Sequence, residues 1–173
     1  MERVDTGEGF SVLDGGALVM GSAIASVHIL RVMRADLSGA RWIMVAVAFA
    51  WIAITAAGSF LFLARRFIRK VANYPKIGDR LWALLGVPWL ATAILQSAAP
   101  GADPRSNPLF AMILSVGLAI VCMISLAVVW GNWVMVPPER ATRMQEVPWT
   151  NRVGLILSIA WPIQCGLAMF VLG

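Results

Sequence analysis

The segment LFAMILSVGLAIVCMISLAVVWGNW, Leu109 to Trp133, runs for 25 residues without a single charged side chain. At a rise of about 1.5 Å per residue, a helix of that length exceeds the roughly 30 Å hydrocarbon core of a bilayer. A surface helix of a soluble domain would carry a polar face at helical spacing, whereas here only Ser115, Ser125 and Asn132 interrupt the apolar run. It predicts a transmembrane helix.

Four more blocks of the same kind lie around it: Val12 to Leu30, Trp42 to Ala64, Leu81 to Ala99 and Val153 to Leu172. Together the five account for 106 of the 173 residues, which leaves little chain for a soluble domain. Across the whole sequence 60% of residues are hydrophobic and 13% charged, about half the charged share usual in a soluble protein. Uninterrupted apolar blocks specify helices, since a barrel needs many shorter alternating segments. The expected fold is an all-α polytopic transmembrane bundle, one integral-membrane domain over residues 1–173 with five spans. Gln96, Ser97 and Pro100 polarise the end of the third block, which predicts an angled or shortened crossing there.

Charge sets the orientation. Lys and Arg number 14 against 9 Asp and Glu, a net of +5. With five spans, ten of the cations fall on the side of the N-terminus: Arg3, the second loop from Arg65 to Arg80, and the fourth loop with Arg140, Arg143 and Arg152. Four fall on the other side: Arg31, Arg34, Arg41 and Arg105. Positively charged short loops stay in the cytoplasm, so the N-terminus is expected inside and the C-terminus outside. The segment Met1 to Glu8 carries three acids and one Arg, the reverse of a signal-peptide n-region, and the first block is therefore expected to persist as a span. The basic residues sit in short loops between apolar blocks, which argues against a nucleic-acid module.

Trp42, Trp82, Trp130, Trp133 and Trp149 lie at or near block ends, where an indole can rest at the headgroup boundary. Pro137 and Pro138 end the fourth helix, and Pro88 and Pro162 fall inside helices, which predicts kinks packed against protein. Cys122 and Cys165 lie within apolar blocks and read as small hydrophobes.

The chemical inventory is thin. One histidine excludes a self-contained bis-His haem, and no His-x-x-x-His or Cys-x-x-Cys spacing supports a zinc or iron–sulfur site built from this chain alone. No metal site or catalytic group is assigned. His28 shares one helical face with Asp14, Gly21 and Ala25, with Ser22 and Ser26 on its flank. Gly21, Ser22, Ala25 and Ser26 form a small-residue seam for helix packing. His28 itself reads either as part of that seam, bonded to a neighbouring helix, or as a cofactor contact at a subunit interface. In the second case it is an axial ligand to a magnesium or iron tetrapyrrole or a hydrogen-bond partner of a quinone. Asp14 lies about 21 Å from it along the helix and cannot be its partner. Thr55, Ser59, Thr92, Gln96, Ser125, Asn132, Ser158 and Gln164 are scattered over four helices, without the convergence a transport site requires. Arg65, Arg66, Arg69 and Lys70 directly follow the second block and are expected to contact anionic lipid headgroups.

Gly58-Ser59-Phe60-Leu61-Phe62, the stretch from Trp130 to Val136 running into Arg140 and Arg143, and Ile159-Ala160-Trp161-Pro162 carry a likeness. From Gly58 onward the chain resembles a group of uncharacterised bacterial small integral-membrane proteins with four predicted helices. The resemblance implies architecture and no activity; the first helix, with His28, lies outside it. The residues lead to a non-catalytic accessory subunit or assembly factor of a larger bacterial inner-membrane complex, acting on other transmembrane subunits by helix packing. A cofactor-bearing redox or photosynthetic component using His28, and a small transporter or channel, are the alternatives.

Overall fold

A computed structural model describes residues 9–32, 39–70, 74–98, 108–135 and 148–172. They form five helices: α1 (Val12–Val32), α2 (Gly39–Leu63), α3 (Ile77–Ala98), α4 (Pro108–Met135) and α5 (Trp149–Leu172). A π-helical turn, Ala64–Ile68, continues α2, and Lys70 follows with a positive φ of 49°. Four helices contain stretches long and apolar enough to cross a membrane: Val12–Leu30, Trp42–Ile68, Ile77–Ala98 and Met112–Gly131. The third is no exception, since 22 helical residues extend about 33 Å.

Three of the helix starts have a local reason. Ser11 and Asp14 form a reciprocal cap at α1: the Asp14 amide donates to Ser11 Oγ at 3.3 Å, and the Ser11 amide donates to Asp14 Oδ2 at 2.9 Å. At α3 the Lys76 amide donates to Asp79 Oδ2 at 2.9 Å, the same half of that motif. The Asn151 amide donates to the Pro148 carbonyl at 3.0 Å in the first turn of α5.

α2 runs back along α1, because residues near the start of α1 meet the end of α2, and the starts of α3 and α5 meet each other. α3 lies at the centre, packing on α2, α4 and α5 and touching α1. Close backbone approach makes this possible. Any side chain at Gly58 of α2 would run into Trp82 of α3, and one at Gly86 of α3 would meet Ser59 and the Thr55 carbonyl. Gly78 and Gly154 bring α3 and α5 together in the same way. Pro88 is buried, and Gly117 of α4 fits against its ring, as expected for a membrane proline supported by protein. The main apolar core gathers around Trp82, Leu85, Val121, Leu157 and Trp161; a smaller one joins α1 to α2 through Ala25, Ile29, Val45, Ile52 and Ala53.

The tryptophans divide. Trp42 and Trp130 are exposed, as boundary anchors should be. Trp82 is not an anchor: it is buried, and its indole N–H donates to the Ile54 carbonyl of α2 at 2.8 Å. Trp149 packs against Trp82 with ring centroids 6.0 Å apart. Cys122 is a free, half-buried thiol on α4. The side chains of Trp133, Asn132 and Cys165, the pair Pro137 and Pro138, and the loop cations Arg34, Arg105, Arg140 and Arg143 lie outside the described residues.

Candidate functional site

Asp14 decides the first polar cluster. A carboxylate inside a membrane helix needs a partner, and Arg65 supplies one from the π turn after α2. Nε donates to Asp14 Oδ1 at 3.0 Å and Nη2 to Oδ2 at 2.7 Å, a two-pronged ion pair with both side chains fully enclosed. Arg69 adds a second cation, its Nη1 standing 3.7 Å from Asp14 Oδ2. The guanidinium carbon of Arg65 also lies 5.2 Å from the centre of the Trp149 ring, a cation–π contact that draws α5 into the cluster. One acid thus caps α1 and ties α1, the end of α2 and, through Arg65, α5.

Beside it, Asp79 is buried at the start of α3, its carboxylate facing Thr150 of α5. Asn151 Oδ1 accepts the Gly78 amide at 2.7 Å and links the same two helices. Tyr74 lies just before α3 and is buried. Burial, reinforced by the negative charge of Asp79 and opposed by Arg65, lifts its phenol far above the usual range, so it is neutral at physiological pH.

The second cluster surrounds His28 at the other end of α1. Its Nε2 lies 3.1 Å from the Trp89 carbonyl and 3.4 Å from the Thr92 hydroxyl; its Nδ1 lies 3.5 Å from the Gln96 amide nitrogen. A carbonyl can only accept, so the ring is protonated on Nε2, and the neutral form leaves Nδ1 to accept from Gln96. The ring also meets Trp89 edge-on, with centroids 5.4 Å apart. Both nitrogens are thus engaged by α3, which fits the packing alternative for His28; a ligand to its ring would have to displace one of these contacts.

The face of α1 read from sequence is the packing face. Gly21 sits against the Ala53 carbonyl and Ala57 of α2, and Ala25 is fully buried. Ser22 and Ser26 donate back to the Leu18 and Ser22 carbonyls of their own helix, each at 2.9 Å. Thr55, Thr92, Ser97 and Ser158 do the same. Ser59 crosses instead to the Ala83 carbonyl of α3 at 2.8 Å.

The four cations after the second block do not act alike. Arg66 and Lys70 are exposed and Arg69 is partly covered, whereas Arg65 turns inward to Asp14. Sequence reasoning missed this pairing and passed over Asp79. Ser11-x-x-Asp14 ahead of an apolar run was the available signal, together with the rule that a lone intramembrane acid requires a cation. Among the described residues, no three His, Cys, Asp or Glu side chains are grouped to hold a metal ion.

No family model, curated protein or solved structure matches this chain. The likeness to small bacterial membrane proteins therefore rests on its own residues. What the fold adds is an all-α chain with four helices suited to a membrane.

Proposed function

We propose that this chain is a non-catalytic accessory subunit or assembly factor of a larger bacterial inner-membrane complex. It crosses the membrane five times with its N-terminus in the cytoplasm and works by helix packing against other transmembrane subunits and by lipid contact. α5, 24 residues and about 36 Å long, serves as the fifth span.

The observation that carries this reading is where the polar groups of the helices go. Asp14, Ser59, His28, Gln96 and Asn151 all reach another segment of the same chain, so they brace the bundle. α4, by contrast, has only 11% of its apolar stretch covered, and Met112, Val116, Ile120, Met123 and Trp130 are exposed along it. A braced scaffold carrying one uncovered apolar helix suits a subunit that other helices pack against. The tetrapyrrole or quinone reading would have to free His28 from Trp89 or Gln96, and the transporter reading would have to open one of two polar clusters, Asp14 with Arg65 or His28 with Thr92 and Gln96, whose groups bond to each other.

Extraction of the tagged chain from its native membrane in a mild detergent, followed by mass spectrometry of stoichiometric polypeptides and an absorption spectrum, tests the proposal. Defined colourless partner subunits are expected. A monodisperse monomer without partners, in native lipid discs as well, would contradict it. A pigment lost in His28→Ala would instead favour the cofactor alternative.

A further inference from the structure

At the end of the bundle that holds the Asp14–Arg65 pair, the last turns of α2 and the approach to α3 leave an open cleft of about 520 Å³, lined by Phe62, Arg66, Tyr74, Pro75 and Arg80. Two guanidinium groups converge on it from different segments. Arg66 is exposed and is steadied by one bond, Nη1 donating to the Tyr74 carbonyl at 3.3 Å. Arg80, one turn into α3, is exposed and has no ion-pair or hydrogen-bond partner for its side chain among the described residues. None of the lining residues is acidic. Of the neighbouring acids, Asp14 is held by Arg65 and Arg69, and Asp79 accepts the Lys76 amide through Oδ2.

Two like charges facing one cleft repel unless an anion lies between them. The depth of the cleft selects the anion. Phe62 belongs to the apolar stretch Trp42–Ile68 and Arg80 to Ile77–Ala98, so the cleft sits where two candidate spans emerge. Phe62 and Tyr74, with ring centroids 6.0 Å apart, give it an aromatic wall beside the two cations that line it. An apolar wall with guanidinium forks at headgroup level matches a phosphodiester attached to acyl chains, since arginine binds phosphate oxygens in pairs. The volume falls within the range of small-molecule sites, roughly 300–1,000 Å³.

We infer that this cleft is a specific binding site for the phosphate of an anionic phospholipid, clamped between Arg66 and Arg80. The inference deepens the lipid-contact part of the proposed function and rests on α2 and α3 crossing the membrane. It differs from general attraction by the basic loop, because Lys70, exposed nearby, does not line the cleft.

The test uses the full chain in mild detergent, titrated with phosphatidylglycerol or phosphatidylcholine, with bound lipid counted by native mass spectrometry. One phosphatidylglycerol is expected to bind in preference to phosphatidylcholine. Arg80→Gln should weaken it about fivefold, the effect of one cation near an anionic headgroup. Arg66→Gln with Arg80→Gln should abolish the preference, and Lys70→Gln should leave it intact. A preference that survives the double substitution, or that Lys70→Gln lowers equally, overturns the site. Inorganic phosphate competing as well as the lipid would overturn the lipid as its occupant. Should the double variant lose its helical circular dichroism, Arg80→Gln decides alone, since that side chain has no partner to lose among the described residues. Carbonate washing of membranes carrying the chain is read separately: release into the wash ends the membrane reading, whereas a retained chain without lipid preference ends only the lipid site.

Discussion

α3 and α4 pack side by side, yet they face different surroundings. α4 is the more apolar, but only 11% of its apolar stretch is covered by protein, against 44% in α3. In a soluble protein the order would be reversed, with the greasier helix at the centre. Where lipid is the solvent, apolar side chains mark the outside, and small or polar residues mark the helix that others pack against. α3 meets its neighbours through Gly78, Gly86, Asp79, Trp82, Thr92 and Gln96; α4 meets them through Gly117, Val121 and Ser125.

If this contrast governs stability, damage to the braced side should far exceed damage to α4. Asp14→Ala takes the two-pronged carboxylate partner from the enclosed Arg65 and should cost about 3 kcal/mol, read as a lowered midpoint in detergent unfolding. Gly58→Leu should cost about 1–3 kcal/mol, because even a first side-chain carbon there collides with the Trp82 backbone. Gly131→Ala on α4, where a Cβ meets nothing within 4 Å, should instead be neutral or stabilising by up to about 1 kcal/mol. Equal responses at the two glycines would erase the contrast.

Ile120→Ala on the uncovered face of α4 should move the unfolding midpoint of the isolated chain by less than about 0.5 kcal/mol. The same variant, assayed by co-extraction, should reduce the recovery of partner subunits if that face is where they pack. The smallest effect concerns pH. Tyr74 has a folded-state pKa raised above its unfolded value of about 10, so its contribution is complete below that pH and is lost as pH climbs through the folded value. The difference in melting temperature between the natural chain and Tyr74→Phe should stay constant from pH 7 to 9 and shift only above about pH 10.

Apolar length made the five helices legible, and their interiors coincide with the blocks read from sequence. The starts are less so. α3 begins at Ile77 instead of Leu81 and α5 at Trp149 instead of Val153, because their first turns hold Gly78-Asp79-Arg80 and Thr150-Asn151-Arg152. Hydropathy discards such residues, although Asp79, Thr150 and Asn151 are buried between the two helices. The small-residue face of α1 was legible because its spacing is local. The partner of Asp14 was not, since 51 positions separate it from Arg65 and four adjacent cations offered equal charge. Only the path of the π turn selects one of them to point inward.

The central claim, that polar groups within the helices serve as braces, is tested most directly by a double-mutant cycle on Asp14 and Arg65 in detergent unfolding. Each single alanine substitution is expected to destabilise strongly, and the double variant to lose clearly less than the sum of the two, because the second substitution finds the pair already broken. Two small and additive losses would contradict the brace.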